Sequence, residues 1–541
     1  MSTINFYQKA PTIKILILTL LLSLFSLNNC KLELNNPSDP RSKSFFETAL
    51  WNFFLNSLCN PNTSGYFHFG SGNTLIIPLS LKVLNSGNTV VTAISGEPLF
   101  WNGSSGGVNA NHQNSALNGV VFVIDKSFSR ILWLDYIGEM SYGVDDWPIP
   151  ETISIDEFSN GDLAVYALVN GAGRTNVTNA KTTTNAFYLA RLKQHSGEIV
   201  WQGYLNKDNT RLGTKSYAMS ILNFDRIALL FQGTSEASSP TQDNIGLGYP
   251  GLPYPIYGSN ATTASQKELG IAVVDGNGNG LSQSFLPNTG TLTEAVLFKS
   301  DGNKILIAGG TSNNFVSTSG HPRVNESRVF YGVINSGLTW DALSYYGPTI
   351  TAGTFNLQKA LFANNEVFLI GKTDEPYSTP NTLYPFQGTT GRRNYQILKP
   401  DKRNTSLIWG QFLGASAYNV PEVLPGNLAY NSGRQEIVGN LLAIDNGNVF
   451  TGISSDIALG NFQYPLAQAR LKINPSNGGF KQLQYYDATT DSSGNNGKFL
   501  TNQVDACSGR MVTIHSKFGA IANFSTARNF EISTKPASAE P

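Results

Sequence analysis

Short apolar runs that start just after a Gly- or Asn-rich turn recur along the whole chain. The clearest is Gly302-Asn303-Lys304-Ile305-Leu306-Ile307-Ala308-Gly309, where a Gly-Asn pair precedes a β-rich run that stops at another glycine. The same cadence reads at Gly87-Asn88-Thr89-Val90-Val91, Gly161-Asp162-Leu163-Ala164-Val165 and Phe224-Asp225-Arg226-Ile227-Ala228. It continues at Asn364-Asn365-Glu366-Val367-Phe368, Gly447-Asn448-Val449-Phe450-Thr451 and Gly509-Arg510-Met511-Val512-Thr513. Gly and Asn tolerate the positive φ of tight hairpin turns, so each copy predicts a turn leading into a strand. Seven hairpins at long, uneven spacing predict a radial repeat fold.

Each hairpin is followed by a second unit. Val121 to Asp125 leads to Leu132 to Gly138, and Phe187 to Leu192 leads to Val200 to Leu205. Phe330 to Ile334 leads to Leu343 to Gly347, and Tyr395 to Lys399 leads to Ile408 to Gly414. Ile271 to Asp275 with Leu281 to Leu286, and Ala469 to Ile473 with Leu483 to Tyr486, are fainter copies. The order is strand, turn, strand, variable loop, strand, turn, aromatic strand. Four antiparallel strands make one propeller blade, so the expected fold is all-β, a seven-bladed β-propeller over residues 64–535. The innermost strands are expected at Val90 to Ala93, Ile305 to Ala308 and Val367 to Ile370, which are apolar and small.

An apolar run with Lys or Asp, a turn, Leu-Trp, Tyr/Phe-x-Gly and a Gly-Asn hairpin together resemble the SBBP-type β-propeller repeat of bacterial exported proteins. The resemblance covers roughly residues 80–520, with clean Tyr/Phe-x-Gly endings at Tyr136-Ile137-Gly138 and Phe412-Leu413-Gly414. Hairpin spacing runs from about 62 to about 83 residues, against about 40–50 for an ordinary blade. The excess falls in Gly/Ser/Thr/Asn/Pro-rich stretches at 102–119, 171–185, 235–267, 312–327 and 373–393, which have the composition of surface loops. After the seventh hairpin only Asn523 to Ile532 remains, enough for one or two strands. Gly65 to Phe69, with Leu75 to Ile77, is expected to supply the missing outer strand from the other end and so remove an open sheet edge. Residues 536–541 form a tail.

The N-terminal part has a different pattern. Residues 1–29 read as a targeting segment, with Lys9 and Lys14 ahead of an apolar run from Ile15 to Leu27. Leu27-Asn28-Asn29-Cys30 resembles a bacterial lipobox, with Asn28 and Asn29 where a small residue is usual, as in spirochaetal lipoproteins. That resemblance implies a lipoprotein signal peptide and an acylated Cys30 as the mature N-terminus. The competing reading is an ordinary secretory signal with Cys30 as an incidental thiol. Each acyl chain contributes roughly 0.8 kcal/mol per buried CH₂, so two or three chains anchor a protein without a transmembrane helix. Residues 30–43, with Pro37 and Pro40, form a tether. Residues 44–63 form a short helical segment. Apolar residues recur at 46, 50, 53, 54 and 58, and Ser44 with Glu47 fits a capping box. Its aromatic face either packs on the protein body or lies in a membrane interface.

Charge adds one exclusion. Lys plus Arg and Asp plus Glu both number 37, so no net field attracts nucleic acid, and a nucleic-acid partner is not expected. Charged residues are 14% of the chain, against roughly 25% on average, which suits strands joined by polar turns.

Candidate chemistry is sparse. Beyond Cys30, Cys59 and Cys507 remain, either as a disulfide stapling the N-terminal segment to the last blade or as separate thiols. His68, His112, His195, His321 and His515 show no metal-ligand spacing, so no metal is expected. Asp275-Gly276-Asn277-Gly278-Asn279-Gly280 opens like a calcium loop but has Leu286 where the twelfth-position carboxylate belongs, and so reads as a tight turn. Asp156, Asp301 and Asp445 precede hairpins and read as turn caps. Asp145-Asp146 beside Trp147 either cradles a sugar or is an exposed loop with a buried aromatic anchor. Trp133, Trp201, Trp340 and Trp409 read as packing between blades. No nucleophile elbow, P-loop or dinucleotide fingerprint is present, and no cofactor or catalytic residue is assigned.

The expected function is a non-enzymatic binding or scaffold protein of the bacterial cell envelope, held to the outer membrane by its N-terminal lipid. Its partner would be a protein or a glycan. The alternative is a propeller enzyme with an axial pocket, a glycan hydrolase or lyase or a quinone-cofactor dehydrogenase. The lining of the central funnel decides between them, with convergent charged groups favouring catalysis.

Overall fold

A computed structural model describes residues 65–69, 76–95, 118–140, 153–169, 186–204, 218–234, 267–286, 297–310, 329–338, 340–346 and 355–373. It further describes 394–402, 407–413, 424–431, 435–444, 466–486, 499–504, 511–516 and 530–535. The chain divides into two compact units, Met1–Asn60 and Pro61–Pro541. All described residues belong to the second. The signal segment, the tether, the helix candidate, Cys30, Cys59 and Cys507 lie outside the described residues, as do Asp145, Asp146 and Trp147.

Strand β1 (Gly65–Phe69) comes first in the chain but belongs to the last sheet. The first sheet is β2 (Ile76–Val83), β3 (Thr89–Ser95), β4 (Asn118–Ile124) and β5 (Ile131–Glu139). The second is β6 (Ile153–Glu157), β7 (Leu163–Val169), β8 (Ala186–Leu192) and β9 (Ile199–Tyr204). The third is β10 (Ala218–Leu222), β11 (Arg226–Thr234), β12 (Lys267–Val274) and β13 (Gly280–Leu286). The fourth is β14 (Leu297–Asp301), β15 (Lys304–Gly310), β16 (Val329–Asn335) and β17 (Trp340–Tyr346). The fifth is β18 (Phe355–Ala363), β19 (Glu366–Thr373), β20 (Asn394–Pro400) and β21 (Leu407–Leu413). The sixth is β22 (Leu424–Asn431), β23 (Glu436–Ile444), β24 (Leu466–Ile473) and β25 (Phe480–Tyr486). The seventh takes β26 (Phe499–Val504), β27 (Met511–Ser516) and β28 (Phe530–Lys535) from the C-terminal end, and β1 pairs with β28 to complete it.

Among the described residues these are seven four-stranded antiparallel sheets. Their first strands touch in series: β2 with β6, β6 with β10, β10 with β14, β14 with β18, β18 with β22, β22 with β26, and β26 again with β2. A closed cycle of first strands puts them around one axis, so the fold is the seven-bladed all-β propeller, with its final blade built from both chain ends. Gly65 to Phe69 is the completing strand, as expected. Ile76 and Ile77 instead open the first blade.

Two strand-level expectations are corrected. The runs Val90 to Ala93, Ile305 to Ala308 and Val367 to Ile370 lie on β3, β15 and β19, which are second strands and not innermost ones. Such strands are hydrogen-bonded along both edges and buried on both faces, which is why they are apolar. The sixth hairpin also differs. It joins β22 to β23 between Asn431 and Glu436, whereas Gly447 to Thr451 lies outside the described residues. The turn chemistry itself behaves as expected: Gly302, Asn364 and Asn365 have φ of 63°, 52° and 59°.

The core lies in the seams between sheets. On β7, Val165, Ala167 and Val169 join Val90, Val121 and Trp133 of the first sheet. Their neighbours Ala164, Tyr166 and Leu168 join Leu229 and Ala272 of the third. Alternate residues of one strand thus fill two different seams, and both sides are apolar. The same partition recurs between the seventh and first sheets, the third and fourth, and the fourth and fifth.

Tryptophans latch successive blades. Trp133 Nε1 donates to Gln194 O at 2.5 Å, Trp201 Nε1 to Gly276 O at 2.9 Å, and Trp409 Nε1 to Pro475 O at 3.0 Å. In each case the indole reaches the turn between the third and fourth strands of the next sheet. A glycine in that turn (Gly197, Gly278 or Gly478) lies against the ring. Trp340 departs from the pattern and covers Gly332 of its own sheet. Gly197 has φ +70°, and a Cβ there would sit 2.7 Å from Trp133. Gly87 has φ +81°, but a Cβ there meets nothing closer than 3.5 Å. Gly87→Ala therefore carries only the left-handed backbone cost of roughly 1–2 kcal/mol. Gly197→Ala adds overpacking of about 1–3 kcal/mol. Denaturant midpoints of the two variants should differ in that order, and equal midpoints would mean the tryptophan seat is soft.

Candidate functional site

The axis is lined by the first strands, so the candidate site is built from their residues. Each first strand is paired along only one edge within its sheet, so many of its backbone groups must find partners elsewhere. Polar side chains of adjacent first strands meet part of this need. Ser80 Oγ on β2 donates to Ile153 O on β6 at 3.5 Å. Ser154 Oγ on β6 donates to Met219 O on β10 at 3.3 Å and accepts from Met219 N at 3.1 Å. Ser300 Oγ on β14 donates to Ile221 O on β10 at 3.1 Å.

Charge sits just beyond the serines. Lys82 on β2 forms an ion pair with Asp156 on β6, their side chains 28% and 13% exposed. Asp156 Oδ2 accepts from Ile221 N at 2.6 Å and from Ser220 Oγ at 3.3 Å. Ser220 is in turn hydrogen-bonded to Ser300. One carboxylate thereby ties the first three blades together, and the serine pair extends the tie to the fourth. The pairing of a partly buried carboxylate with both a cation and a backbone N–H is charge-assisted, the stronger kind of hydrogen bond.

An alternating antiparallel chain puts every link between first and second strands, and between third and fourth strands, at one end of the ring. The described links of this kind are tight, as at 84–88, 125–130 and 302–303. The remaining links, such as 96–117, 235–266 and 374–393, start from the opposite end. Lys82, Asp156 and Ser300 lie toward the tight-turn end of their strands, and the turns there are stitched to one another. Glu157 Oε2 accepts from Asn85 N at 2.8 Å, Asp225 Oδ1 from Ser159 N at 2.8 Å, and Asp301 Oδ2 from Asn365 N at 2.6 Å. Asp301 thus caps a turn, although one of the next blade, whereas the expected turn-cap role of Asp156 is corrected: it bonds Lys82, Ser220 and Ile221, all on first strands of neighbouring blades. Asp445 lies outside the described residues.

The other sequence candidates separate. Asp275 Oδ1 accepts from Asn277 N and Asn279 N, both at 2.8 Å, so that segment is a self-satisfied tight turn. His195 is exposed in a turn, His68 and His515 lie on β1 and β27, and His112 and His321 lie outside the described residues. Among the described residues no group of three His, Cys, Asp or Glu could hold a metal, and no helix is long and apolar enough to cross a membrane. The sequence reading missed Ser80, Lys82, Ser154, Glu157, Ser220 and Ser300. Their signal is two-residue spacing of polar side chains just before a turn, as in Ser80-Leu81-Lys82 and Ser154-Ile155-Asp156.

No family model matches the chain, and no curated protein matches it. Solved structures of similar shape include the NanB sialidase of Streptococcus pneumoniae, at 12% identity and TM-score 0.37, covering 86% of this chain and 70% of that one. The alpha-L-arabinanase of Penicillium chrysogenum is 12% identical at TM-score 0.34, over 72% of this chain and 94% of that one. The quinohemoprotein alcohol dehydrogenase of Comamonas testosteroni is 10% identical at TM-score 0.36, over 84% and 68%.

The expectation of a non-enzymatic scaffold is corrected. It rested on apolar innermost runs, and those runs lie one strand farther out, while the described innermost strands carry Lys82, Asp156 and a series of serines.

Burial pushes the Glu157 carboxyl above its usual 4.5, and Asp156 adds to that push, whereas the Asn85 N–H and the Lys82 charge oppose it. A raised folded-state value means that the stability Glu157 confers is fully present below about pH 4.5. It is lost as pH rises through the raised value. Glu157→Gln should therefore raise the denaturant midpoint at pH 7 more than at pH 4. A variant that instead loses more stability at pH 7 than at pH 4 would mean that the carboxylate is needed ionised.

Proposed function

We propose that the protein is a lipid-anchored cell-envelope enzyme that acts on a glycan at the axis of its propeller. The observation that carries this reading is the polar, charged lining of the described first strands, which includes Lys82, Asp156 and the serines beside them. With the tight-turn end committed to stitching blades together, the opposite end is the one left for substrate. In sequence, Asp145-Asp146-Trp147 falls between β5 and the axial strand β6, in one of the links that start from that opposite end. Glycoside cleavage needs two carboxyl groups, one to protonate the leaving oxygen and one to activate water or attack the sugar. An indole beside them offers a flat apolar face to a sugar ring. The test is release of reducing ends by the full-length protein from a panel of envelope polysaccharides and chromogenic glycosides. Asp145→Asn and Asp146→Asn should each lower turnover about a hundredfold or more with unchanged thermal melting. No product from any member of the panel would reject the glycan reading.

Anchoring follows from Leu27-Asn28-Asn29-Cys30, with acylation at Cys30 placing the protein on the outer membrane. Wild-type protein should carry the acyl mass on Cys30 and partition into detergent, and Cys30→Ser should move it to the aqueous phase. A wild-type chain without acyl mass would reject the anchor and leave the axial reading intact.

A further inference from the structure

We infer that the tight-turn end of the ring rests on the lipid surface, with Phe224 inserted into the interface and the opposite end turned away from the membrane. The large apolar residues left exposed among the described residues are Val200, Phe224, Leu281 and Ile408, and Phe224 is 87% exposed against 39–47% for the other three. It occupies the turn between β10 and β11 at the tight-turn end, near the axis. Its φ is 63° and that of Asp225 is 55°. A left-handed non-glycine residue carries a conformational cost and persists only where its surroundings impose it.

The surroundings do impose it. Asp225 accepts from Ser159 N at 2.8 Å and Ser159 Oγ at 2.7 Å in the neighbouring turn of the second sheet. On the other side, Arg226 Nη2 donates to Asn303 Oδ1 at 2.9 Å in the turn of the fourth sheet. Asn223 N donates to Gly302 O at 3.2 Å. The turn is pinned from both flanks, and its phenyl ring is left facing outward at 87% exposure. The Arg226 guanidinium lies 5.9 Å from the ring centroid. An aromatic ring with a cation beside it suits the level of phospholipid headgroups, where the ring meets acyl chains and the guanidinium meets phosphate.

Chain direction points the same way. β1 is the outermost strand of the seventh sheet, and Gly65 pairs with Thr534, near the end of β28. That places Gly65 at the tight-turn end, the end that carries Phe224. From Cys30 to Gly65 the chain could span on the order of 100 Å if extended, so the tether alone does not orient the ring. Orientation then falls to the ring's own surface, where Phe224 is the most exposed large apolar side chain among the described residues.

This inference rests on the lipid anchor proposed above, and its test separates the two. Full-length lipidated protein carrying photo-reactive p-benzoylphenylalanine in place of Phe224, or of Glu139 at the opposite end, is reconstituted into phosphatidylethanolamine–phosphatidylglycerol vesicles and irradiated. The expected result is phospholipid adducts at 224, at least tenfold more abundant than at 139. Flotation with adducts mainly at 139, at neither position, or to a second copy of the chain overturns the orientation while the anchor stands. A chain that neither floats nor carries acyl mass on Cys30 overturns the anchor and the orientation with it.

Discussion

The seam between adjacent sheets is what the rest of the structure depends on. A lone four-stranded sheet of these sequences would expose two apolar faces, because strands such as Leu163–Val169 are buried at every position. Each face is covered only by the next sheet, so no blade can be the last one. Closure follows from that requirement: β1, although first in the chain, is taken up as the outer strand of the final blade. The tryptophans at the outer strands serve the same seams from the rim, since Trp133, Trp201 and Trp409 each reach a carbonyl of the following blade. Hydrophobic burial supplies the drive, and the indole hydrogen bonds fix the register between blades.

The two ends of the ring have been put to different uses. At one end, first strands finish in Asp156, Glu157 and Asp301 and a turn carries Asp225, and these carboxylates accept backbone N–H groups from turns or first strands of neighbouring blades. Such stitching tolerates little change of length, because each acceptor must meet a donor on a separate sheet. At the other end the links vary widely in length and composition, which a rigid ring permits at small entropic cost. A fold arranged in this way can change what it binds without disturbing how it closes.

Much of the fold was legible because hairpins are local. Positive φ at Gly302, Asn364 and Asn365 is demanded by the turn and advertised by the residue type. Phe224 and Asp225 adopt the same conformation with no glycine at all, and there the cadence of the following strand carried the signal. The sixth hairpin is harder to place because Gly447-Asn448 looks more like a turn than Ser432-Gly433-Arg434-Gln435, although the latter has the Gly-Arg step also seen at Gly509-Arg510. Which strand lies innermost was not legible. An apolar run marks a strand flanked on all sides, and in a blade that is the second or third strand. The axial strand has one open edge, so it carries Ser, Lys and Asp and looks like a weaker strand.

That inversion bears directly on function. Reading apolarity as a sign of depth puts Val90 to Ala93 at the centre and leaves the axis dry. Counting backbone partners instead puts Ser80, Lys82, Ser154 and Asp156 there, because an edge facing a channel has to be satisfied by side chains or by water. Where Lys82 and Asp156 already bond to each other and to the next blade, that polarity is used for closure. The links at the opposite end take no part in that closure at the first strands described, and their sequences vary from one blade to the next.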